Sequence, residues 1–316
     1  MGVLHRVIVL AVAIGGLAVS PAAFSKCPTG NAVFTQAPAK TVNFHDYEIR
    51  LYGNQDDCDA EPETPVSGLE ILKGGKRVYT QTGYSFAIGY SLEQDQPPDS
   101  VKPVVGMDFT GESQPGLLIS EWSGGAHCCY TFHLFQLGDT FKRIQSIPLR
   151  DADESSFVRR EGVKGLVLDS ADYSAFAYFP SDFAGSPAGR VLLSFQGGSF
   201  KLDQAHMKAN APAADEIAHC ARLFKKSHDW KQDQPMGMWY YATDLIYTGN
   251  SASAWTFLDM VWGGSEADHK QYLSDYRERL TKSVYYRELM DLQKAPASAA
   301  NQKIDWTKQC FEYMHG

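Results

Sequence analysis

Leu69-Glu-Ile-Leu-Lys-Gly-Gly-Lys-Arg-Val-Tyr-Thr80 carries the pattern that decides the first half of the chain: two strand-like runs joined by a Gly-Gly turn. The same design returns at 134–141 (LFQLGDTF) and at 192–200 (LLSFQGGSF). The turn glycines of these stretches lie 64 and 59 residues apart, and GLLI at 116–119 resembles GLVL at 165–168. This period predicts repeated antiparallel β units, with three unrelated hairpins as the alternative.

The spacing of apolar residues becomes helical from residue 211 onward. Ile217, Cys220, Ala221 and Phe224 follow the i, i+3, i+4, i+7 pattern of one helix face. Glycine and serine residues mark the ends of the later apolar stretches. The later predicted helices span 236–247, 252–262, 265–292 and 304–313, which makes a bundle of about five helices.

The two patterns predict the α+β fold class: an N-terminal antiparallel β domain followed by a C-terminal α-helical bundle. The β domain is built from repeats. Its expected shape is partial-propeller or sandwich-like, because three units cannot close a propeller of about 4 to 8 blades. The predicted boundaries are a β-rich repeat domain at 26–205 and an α-helical domain at 206–316.

Residues 1–25 have the three parts of a secretory signal peptide. His5 and Arg6 precede an apolar run at 7–19, and Ala23 and Ser25 fit the small-residue positions before a cleavage site. The run of 13 residues is too short for a comfortable membrane crossing, and no later segment reaches about 18 uninterrupted apolar residues. We therefore expect a periplasmic or secreted protein with no transmembrane anchor after signal removal.

The charge balance excludes one large class of partners. The chain of 316 residues has 29 Lys and Arg against 37 Asp and Glu, a formal net charge of −8. A basic surface for nucleic acid is therefore not expected. The hydrophobic content of 44% fits a folded globular chain rather than a disordered one.

Six cysteines follow the predicted signal peptide, and an even number in an exported chain favours disulfides. Six cysteines allow about 15 pairings, so spacing alone proves none of them. In the competing arrangement, the two adjacent cysteines bond separately to Cys27 and Cys58. Local grouping predicts the pairs Cys27–Cys58, Cys128–Cys129 and Cys220–Cys310.

Two adjoining stretches carry a resemblance to known families. Residues 105–119 (VGMDFTGESQPGLLI) resemble the Asp-x-Thr-Gly pattern of FG-GAP and VCBS-type extracellular β repeats. Residues 121–130 (EWSGGAHCCY) contain a Trp-Ser-Gly-Gly-Ala-His-Cys-Cys string that resembles an uncharacterised family of exported bacterial proteins, as do 244–249, 254–262 and 283–286. The resemblance implies propeller blades or related β layers, often used for protein binding, and brings no established activity with it.

The loop at 122–130 holds residue types that occur in catalytic and metal sites. His127 is a candidate base, Cys128 or Cys129 a candidate nucleophile, and Glu121 a candidate orienting group. A zinc site would use His127, the two cysteines and His133. Oxidation of adjacent cysteines after export argues against both interpretations, so neither a catalytic residue nor a metal site is assigned.

A rigid structural loop is the preferred interpretation of the same segment. Its two glycines permit positive φ angles, and a disulfide within it would hold its backbone. Such a loop presents Trp122, His127 and Tyr130 as a candidate binding patch.

Acidic residues supply the remaining candidates. Asp108 is the position at which calcium is considered, but Ser113 and Gly116 stand where further acids are expected, so a turn capped by Asp108 is preferred. Asp169 and Asp172 are candidate binding residues, and paired carboxylates of this kind also perform glycoside hydrolysis.

Two functions follow from these features, and the first is favoured because no convincing catalytic set is present. The first is a non-catalytic binding protein of the cell envelope that recognises a protein or a glycan. The alternative is a hydrolase of an envelope glycan or cell-wall polymer that uses Asp169, Asp172 or Glu121 as acids. No cofactor is predicted.

Overall fold

The computed structural model describes residues 27–53, 60–61, 63–91, 97–125, 129–183, 185–227, 230, 235–296 and 302–315. The predicted signal peptide at 1–25 lies outside these residues. The described chain holds three four-stranded antiparallel sheets, followed by helices. The predicted order of an N-terminal β part and a C-terminal helical part is therefore confirmed at this level.

In each sheet, strands that are consecutive in the chain are neighbours. The first sheet contains β1 (Lys40–Phe44), β2 (Tyr47–Tyr52), β3 (Ser67–Lys73) and β4 (Lys76–Gly83). The second sheet contains β5 (Ser85–Ile88), β6 (Gly116–Trp122), β7 (Tyr130–Leu137) and β8 (Phe141–Arg150). The third sheet contains β9 (Ser156–Val158), β10 (Val167–Asp172), β11 (Gly189–Gln196) and β12 (Ser199–Leu202).

The three predicted hairpins occupy the same place in the three sheets. They form the third and fourth strands: β3–β4, β7–β8 and β11–β12. Gly74 and Gly75 have φ angles of 54° and 75°, and Gly197 and Gly198 have 58° and 92°. Positive φ at both central residues is the type I′ geometry that joins two twisted strands with a two-residue loop.

The central strands of the second sheet, β6 and β7, are buried on both faces because they carry apolar runs. Side chains alternate along each strand, so neighbouring residues of β6 point to opposite sides. Leu117, Ile119 and Phe135 pack with Ile49 and Ile71 of the first sheet. The other face belongs to a larger cluster shared with the third sheet and the helices, and it includes Leu118, Phe132, Leu134 and Ile147.

Seven α-helices follow in the described part of the chain. They are α1 (Gln204–Met207), α2 (Ala214–Ser227), α3 (Gly237–Tyr247), α4 (Ser251–Val261), α5 (Glu266–Leu280), α6 (Tyr286–Lys294) and α7 (Trp306–His315). The predicted face of α2 is buried as expected from its spacing. None of these helices is long and apolar enough to cross a membrane.

The prediction of one long helix over 265–292 is wrong. Ser265 caps its start, since its side chain accepts from the backbone N–H of Asp268, but α5 ends at Leu280 and α6 begins at Tyr286. Between them, the Ser283 hydroxyl donates to Asp172 of β10 at 2.5 Å. The chain therefore leaves the helical path to reach the third sheet.

The helices pack on the third sheet as well as on one another. Gly189 of β11 lies directly against the ring of Tyr247 in α3, so a side chain at this glycine would clash. One cluster of buried apolar side chains continues from the second and third sheets into α2–α7. The core thus crosses the predicted boundary between 205 and 206, and the division into two domains stays a prediction.

The predicted Cys220–Cys310 disulfide is confirmed and joins α2 to α7, with an S–S distance of 2.03 Å. Cys27 and Cys129 also belong to disulfides. Their predicted partners, Cys58 and Cys128, lie outside the described residues.

Candidate functional site

The predicted aromatic patch lies at one end of the second sheet. Trp122 and Tyr130 are direct cross-strand partners, and their rings stack with centroids 6.4 Å apart. Tyr84 meets the Trp122 ring edge-on at 5.5 Å, and Gly124 at φ 88° lies against the Tyr84 ring. His127, the third predicted member, lies outside the described residues. The two described members are half-buried in a small aromatic cluster.

Glu121 and His133 contact each other, although the sequence placed them in different roles. His133 Nε2 donates to Glu121 Oε2 at 2.7 Å, and Nδ1 is hydrogen-bonded to the Ser146 hydroxyl at 2.5 Å. Gln81 of the first sheet also donates to Glu121 Oε2, at 2.8 Å. Arg143 donates to the same Ser146 oxygen. The sequence gave no sign of this serine–histidine–glutamate chain, which depends on register across three strands.

This chain of hydrogen bonds lies between two sheets rather than in a cleft. His133 is 3% exposed, and the main clefts of the described residues have none of these three side chains on their walls. Both ring nitrogens of His133 are engaged, so the histidine is not open to a metal. Cys129 is disulfide-bonded and provides no thiolate nucleophile. The arrangement stabilises the packing of the two sheets.

Asp108 caps a turn ahead of β6. Its Oδ1 accepts from the backbone N–H groups of Thr110 at 3.0 Å and Gly111 at 2.9 Å, and from the Thr110 hydroxyl at 3.0 Å. Its Oδ2 accepts from Ser113 N–H at 2.7 Å. Both oxygens of the Asp108 carboxylate, which a calcium ion would need as ligands, are therefore already occupied by hydrogen-bond donors. Among the described residues, no group of three or more His, Cys, Asp or Glu side chains could hold a metal ion.

Asp172 is a structural anchor rather than an open acid. It is 2% exposed, and its Oδ2 accepts from the hydroxyls of Tyr247 at 2.7 Å and Ser283 at 2.5 Å. The backbone N–H of Ser174 at 2.8 Å and the Ser174 hydroxyl reach Oδ1. Asp172 thereby joins β10 to α3 and to the α5–α6 connection, and its role in binding a ligand stays a prediction.

Asp169 lies on the same strand but faces a cleft. Arg190 Nε donates to its Oδ1 at 2.8 Å, a second Arg190 nitrogen reaches Oδ2, and Arg160 Nη2 donates to Oδ2 at 3.2 Å. Asp169 pairs with Leu192 across β10 and β11, two residues from Arg190, so both charged side chains project from one face of the sheet. Asp169 is therefore held in ion pairs with two arginines at the edge of the cleft.

The cleft has a volume of about 500 Å³ and is rich in carboxylates. It is bounded by β9–β11 and by the β8–β9 connection at 151–155. Tyr173 and Arg190 stand on its wall. Its five acidic residues are Asp99, Asp151, Asp153, Glu154 and Asp169. We call this site the acidic cleft.

Local hydrogen bonds fix the acidic connection against the third sheet. The chain turns at Arg150, which has a positive φ of 56°. The Ser155 hydroxyl donates to the carbonyl of Ala152 at 2.6 Å and pairs with the Ser170 hydroxyl at 2.7 Å. The next residue, Ser156, begins β9 and stands directly opposite Asp169. The acidic side chains are thereby held beside β10 by short-range contacts.

The electrostatics of the cleft agree with its composition. Burial raises the pKa of Tyr173, and the negative charges of Asp151, Asp153 and Glu154 raise it further. The hydrogen bond from Arg190 to Asp169 raises the pKa of the guanidinium. The negative charges therefore act together on the groups that line this site.

The sequence placed only Asp169 in this site. The segment 151–161 is rich in charged residues, but nothing in its local sequence shows that it borders a cleft. Asp99 lies more than 50 residues earlier in the chain. The run Asp153-Glu154-Ser155-Ser156 was a sequence signal that could have pointed to this site, because two acids stand directly before two hydroxyl residues at the start of a strand.

A scan against protein-family models and searches of curated proteins and of solved structures found no match. The resemblance to exported bacterial proteins and to FG-GAP repeats therefore stays a prediction.

Proposed function

We propose that the chain is a non-catalytic, exported binding protein and that the acidic cleft holds its ligand. The observation that carries this proposal is the cleft itself, which combines a volume of about 500 Å³ with five carboxylates on its wall. Sites for small ligands commonly enclose about 300 to 1,000 Å³. The disulfide between Cys220 and Cys310 supports export, because such bonds persist in oxidising compartments.

The contacts of the predicted acids favour binding over hydrolysis. A glycosidase needs one carboxyl that carries a proton and a second that acts as base or nucleophile. Asp169 is paired with two arginines, and Asp172 is buried among four donor groups. Glu121 accepts from His133 and Gln81 away from the acidic cleft. No two of these acids are available to one substrate.

We also propose that the β part has the blade-like layers implied by its resemblance to FG-GAP repeats. Three consecutive four-stranded sheets, with the second buried between its neighbours, support this arrangement. A partial propeller leaves its last sheet open, and the helices cover that sheet here.

Blocking the cleft tests the binding function. Ala171 lines the cleft opposite Arg190, so Ala171→Trp fills it, and Ala171→Leu does so with less risk to folding. Native mass spectrometry is run after incubation with the low-mass fraction of a bacterial envelope extract. We expect the wild type to gain a ligand mass that both variants lose, while Ala252→Trp, at an exposed site of α4, keeps it.

A polymer assay separates binding from hydrolysis. We expect the wild type to release no soluble product from cell-wall polymer or from envelope glycan. Product release that Asp169→Asn abolishes would overturn the proposal in favour of the hydrolase.

A further inference from the structure

We propose that the acidic cleft binds a small organic cation with two or more primary ammonium groups, of the aliphatic polyamine class. This inference rests on the proposed function, since it names the ligand class of the same site. Three features of the cleft carry it: uncompensated negative charge, a buried hydroxyl without a partner, and a size that fits a small molecule.

The negative charge of the cleft is only partly neutralised. Asp169 is compensated by Arg160 and Arg190. Among the described residues, Asp99, Asp153 and Glu154 take part in no ion pair. A ligand that brings positive charge therefore gains Coulomb attraction from several sides.

Ser156 points to a ligand independently of the acids. The residue is 1% exposed, lines the cleft, and its hydroxyl has no hydrogen-bond partner within the described part of the chain. It pairs with Asp169 across β9 and β10, so both side chains project from the same face. Buried hydroxyls nearly always have a partner, and an ammonium N–H would supply one beside a carboxylate.

The arrangement of the acids favours an organic cation over a metal ion. No three of them, within the described residues, lie together in a way that could hold an ion. Calcium needs about six to eight oxygen ligands around one point. Acids that are spread around about 500 Å³ instead match several positive charges separated by a carbon chain. Tyr173 adds an aromatic wall of the kind that attracts ammonium groups.

The volume also favours a small molecule over the surface of a partner protein. Stable protein–protein interfaces bury about 800 Å² on each partner, whereas the cleft is a local depression. A lysine side chain and an amino sugar carry the same ammonium chemistry, and separate arms of the experiment distinguish these sources.

Isothermal titration calorimetry at low salt tests the inference on the full mature chain. The probes are spermidine, 1,4-diaminobutane, 1,4-butanediol, CaCl₂, a lysine-containing tripeptide and a glucosamine trimer. We expect one spermidine per chain, binding of the diamine at least tenfold weaker, and none of the diol. Raising the salt to about 0.5 M is expected to weaken spermidine binding at least tenfold, since the attraction is electrostatic.

Three variants test whether spermidine binds in the cleft or only responds to the net charge of the protein. Asp153→Asn with Glu154→Gln is expected to weaken spermidine binding at least tenfold. The charge-matched control, Asp139→Asn with Glu278→Gln on exposed sites, is expected to change it less than twofold. Ser156→Ala is expected to weaken binding about fivefold and to leave the melting temperature equal or higher, because it removes an unpartnered buried hydroxyl.

The remaining outcomes overturn the inference. If the acidic double variant and its control lost the same affinity for spermidine, the net charge of the protein would explain the binding and the cleft would not. Tighter binding of calcium, the tripeptide or the glucosamine trimer would assign the cleft to that other class. If no amine binds while the envelope-extract ligand is still lost in Ala171→Trp, the ligand class is wrong and the binding function stands.

Discussion

Asp244 of α3 couples folding to protonation. Its Oδ2 accepts from the Tyr313 hydroxyl at 2.5 Å and from Gln309 Nε2 at 3.0 Å. Burial raises the pKa of Asp244 to about 6, although the hydrogen bonds from Tyr313 and Gln309 and the charge of Arg190 act to lower it. In an unfolded chain the pKa of Asp is about 3.9. The folded state therefore holds this proton more tightly than the unfolded state does.

The sign of the pH dependence follows from that difference. The stabilisation is fully present below about pH 4 and is lost as the pH rises through about 6. We expect the free energy of unfolding of Asp244→Asn, relative to the wild type, to increase by about 2 kcal/mol from pH 4 to pH 7. Urea unfolding at both pH values measures it, with the exposed Asp139→Asn as control. A difference that stays constant with pH would contradict the coupling.

At the scale of elements, Asp172 is the polar contact that joins β10 to α3 and to the α5–α6 connection. Asp172→Ala leaves the buried hydroxyls of Tyr247 and Ser283 without their acceptor. Hydrogen bonds to a charged group contribute about 1.5 to 3 kcal/mol, so we expect the free energy of unfolding to fall by about 3 kcal/mol. Chemical unfolding monitored by circular dichroism measures the loss.

The same strand supplies a matched control for that substitution. Asp169 is partly exposed and pairs with arginines at the surface. We therefore expect Asp169→Ala to lower the free energy of unfolding by less than half as much as Asp172→Ala does. Asp172→Asn keeps one acceptor oxygen, so its loss in the free energy of unfolding is expected to lie between those of Asp172→Ala and Asp169→Ala. Equal losses at both positions would show that Asp172 does not anchor the helices.

At the scale of the whole molecule, the Cys220–Cys310 bond closes a loop with a sequence separation of 90 residues. In the chain-entropy model, a loop of this length stabilises the fold by about 4 kcal/mol. We expect Cys220→Ala with Cys310→Ala to lower the free energy of unfolding by about 3 to 4 kcal/mol. Alanine is chosen because both sulfurs are buried, and serine would introduce unpaired hydroxyls.

Urea unfolding of the oxidised chain and of the double variant measures this contribution. A loss below about 1 kcal/mol would mean that residual structure in the unfolded chain already holds the segments of α2 and α7 close together. That result would contradict the loop-closure account of the bond.

The strands and turns of the β part could be predicted from the sequence because their signals are local. Alternating apolar residues and Gly-Gly pairs specify a strand and its turn within about ten residues. The hairpins at Gly74 and Gly197 were found in this way, and the buried face of α2 followed from helical spacing. The Cys220–Cys310 pair was also predicted, since grouping along the chain left few local partners.

The break between α5 and α6 shows where local signals fail. Its residues continue a helical pattern, but the Ser283 hydroxyl reaches Asp172, which lies 111 positions earlier in the sequence. The gain from that buried hydrogen bond outweighs the helix propensity of a few residues, which is worth only tenths of a kcal/mol each. No pattern within the helical segment contains this information.

The sequence by itself determined the order of β and helical parts and the three hairpins. It predicted the disulfide between α2 and α7 from the grouping of the cysteines, and the structure confirmed that pair. Only the tertiary structure decided the roles of the acids. Asp169 and Asp172 are three residues apart on one strand, yet one lines a cleft and the other is buried. Asp99 and Asp153 meet at that cleft because the β5–β6 connection lies against the third sheet, where Val101 N–H donates to the carbonyl of Phe157 at 2.7 Å. Strand patterns are set by neighbours in the chain, whereas the environment of a carboxylate is set by whatever distant residues the fold brings to it.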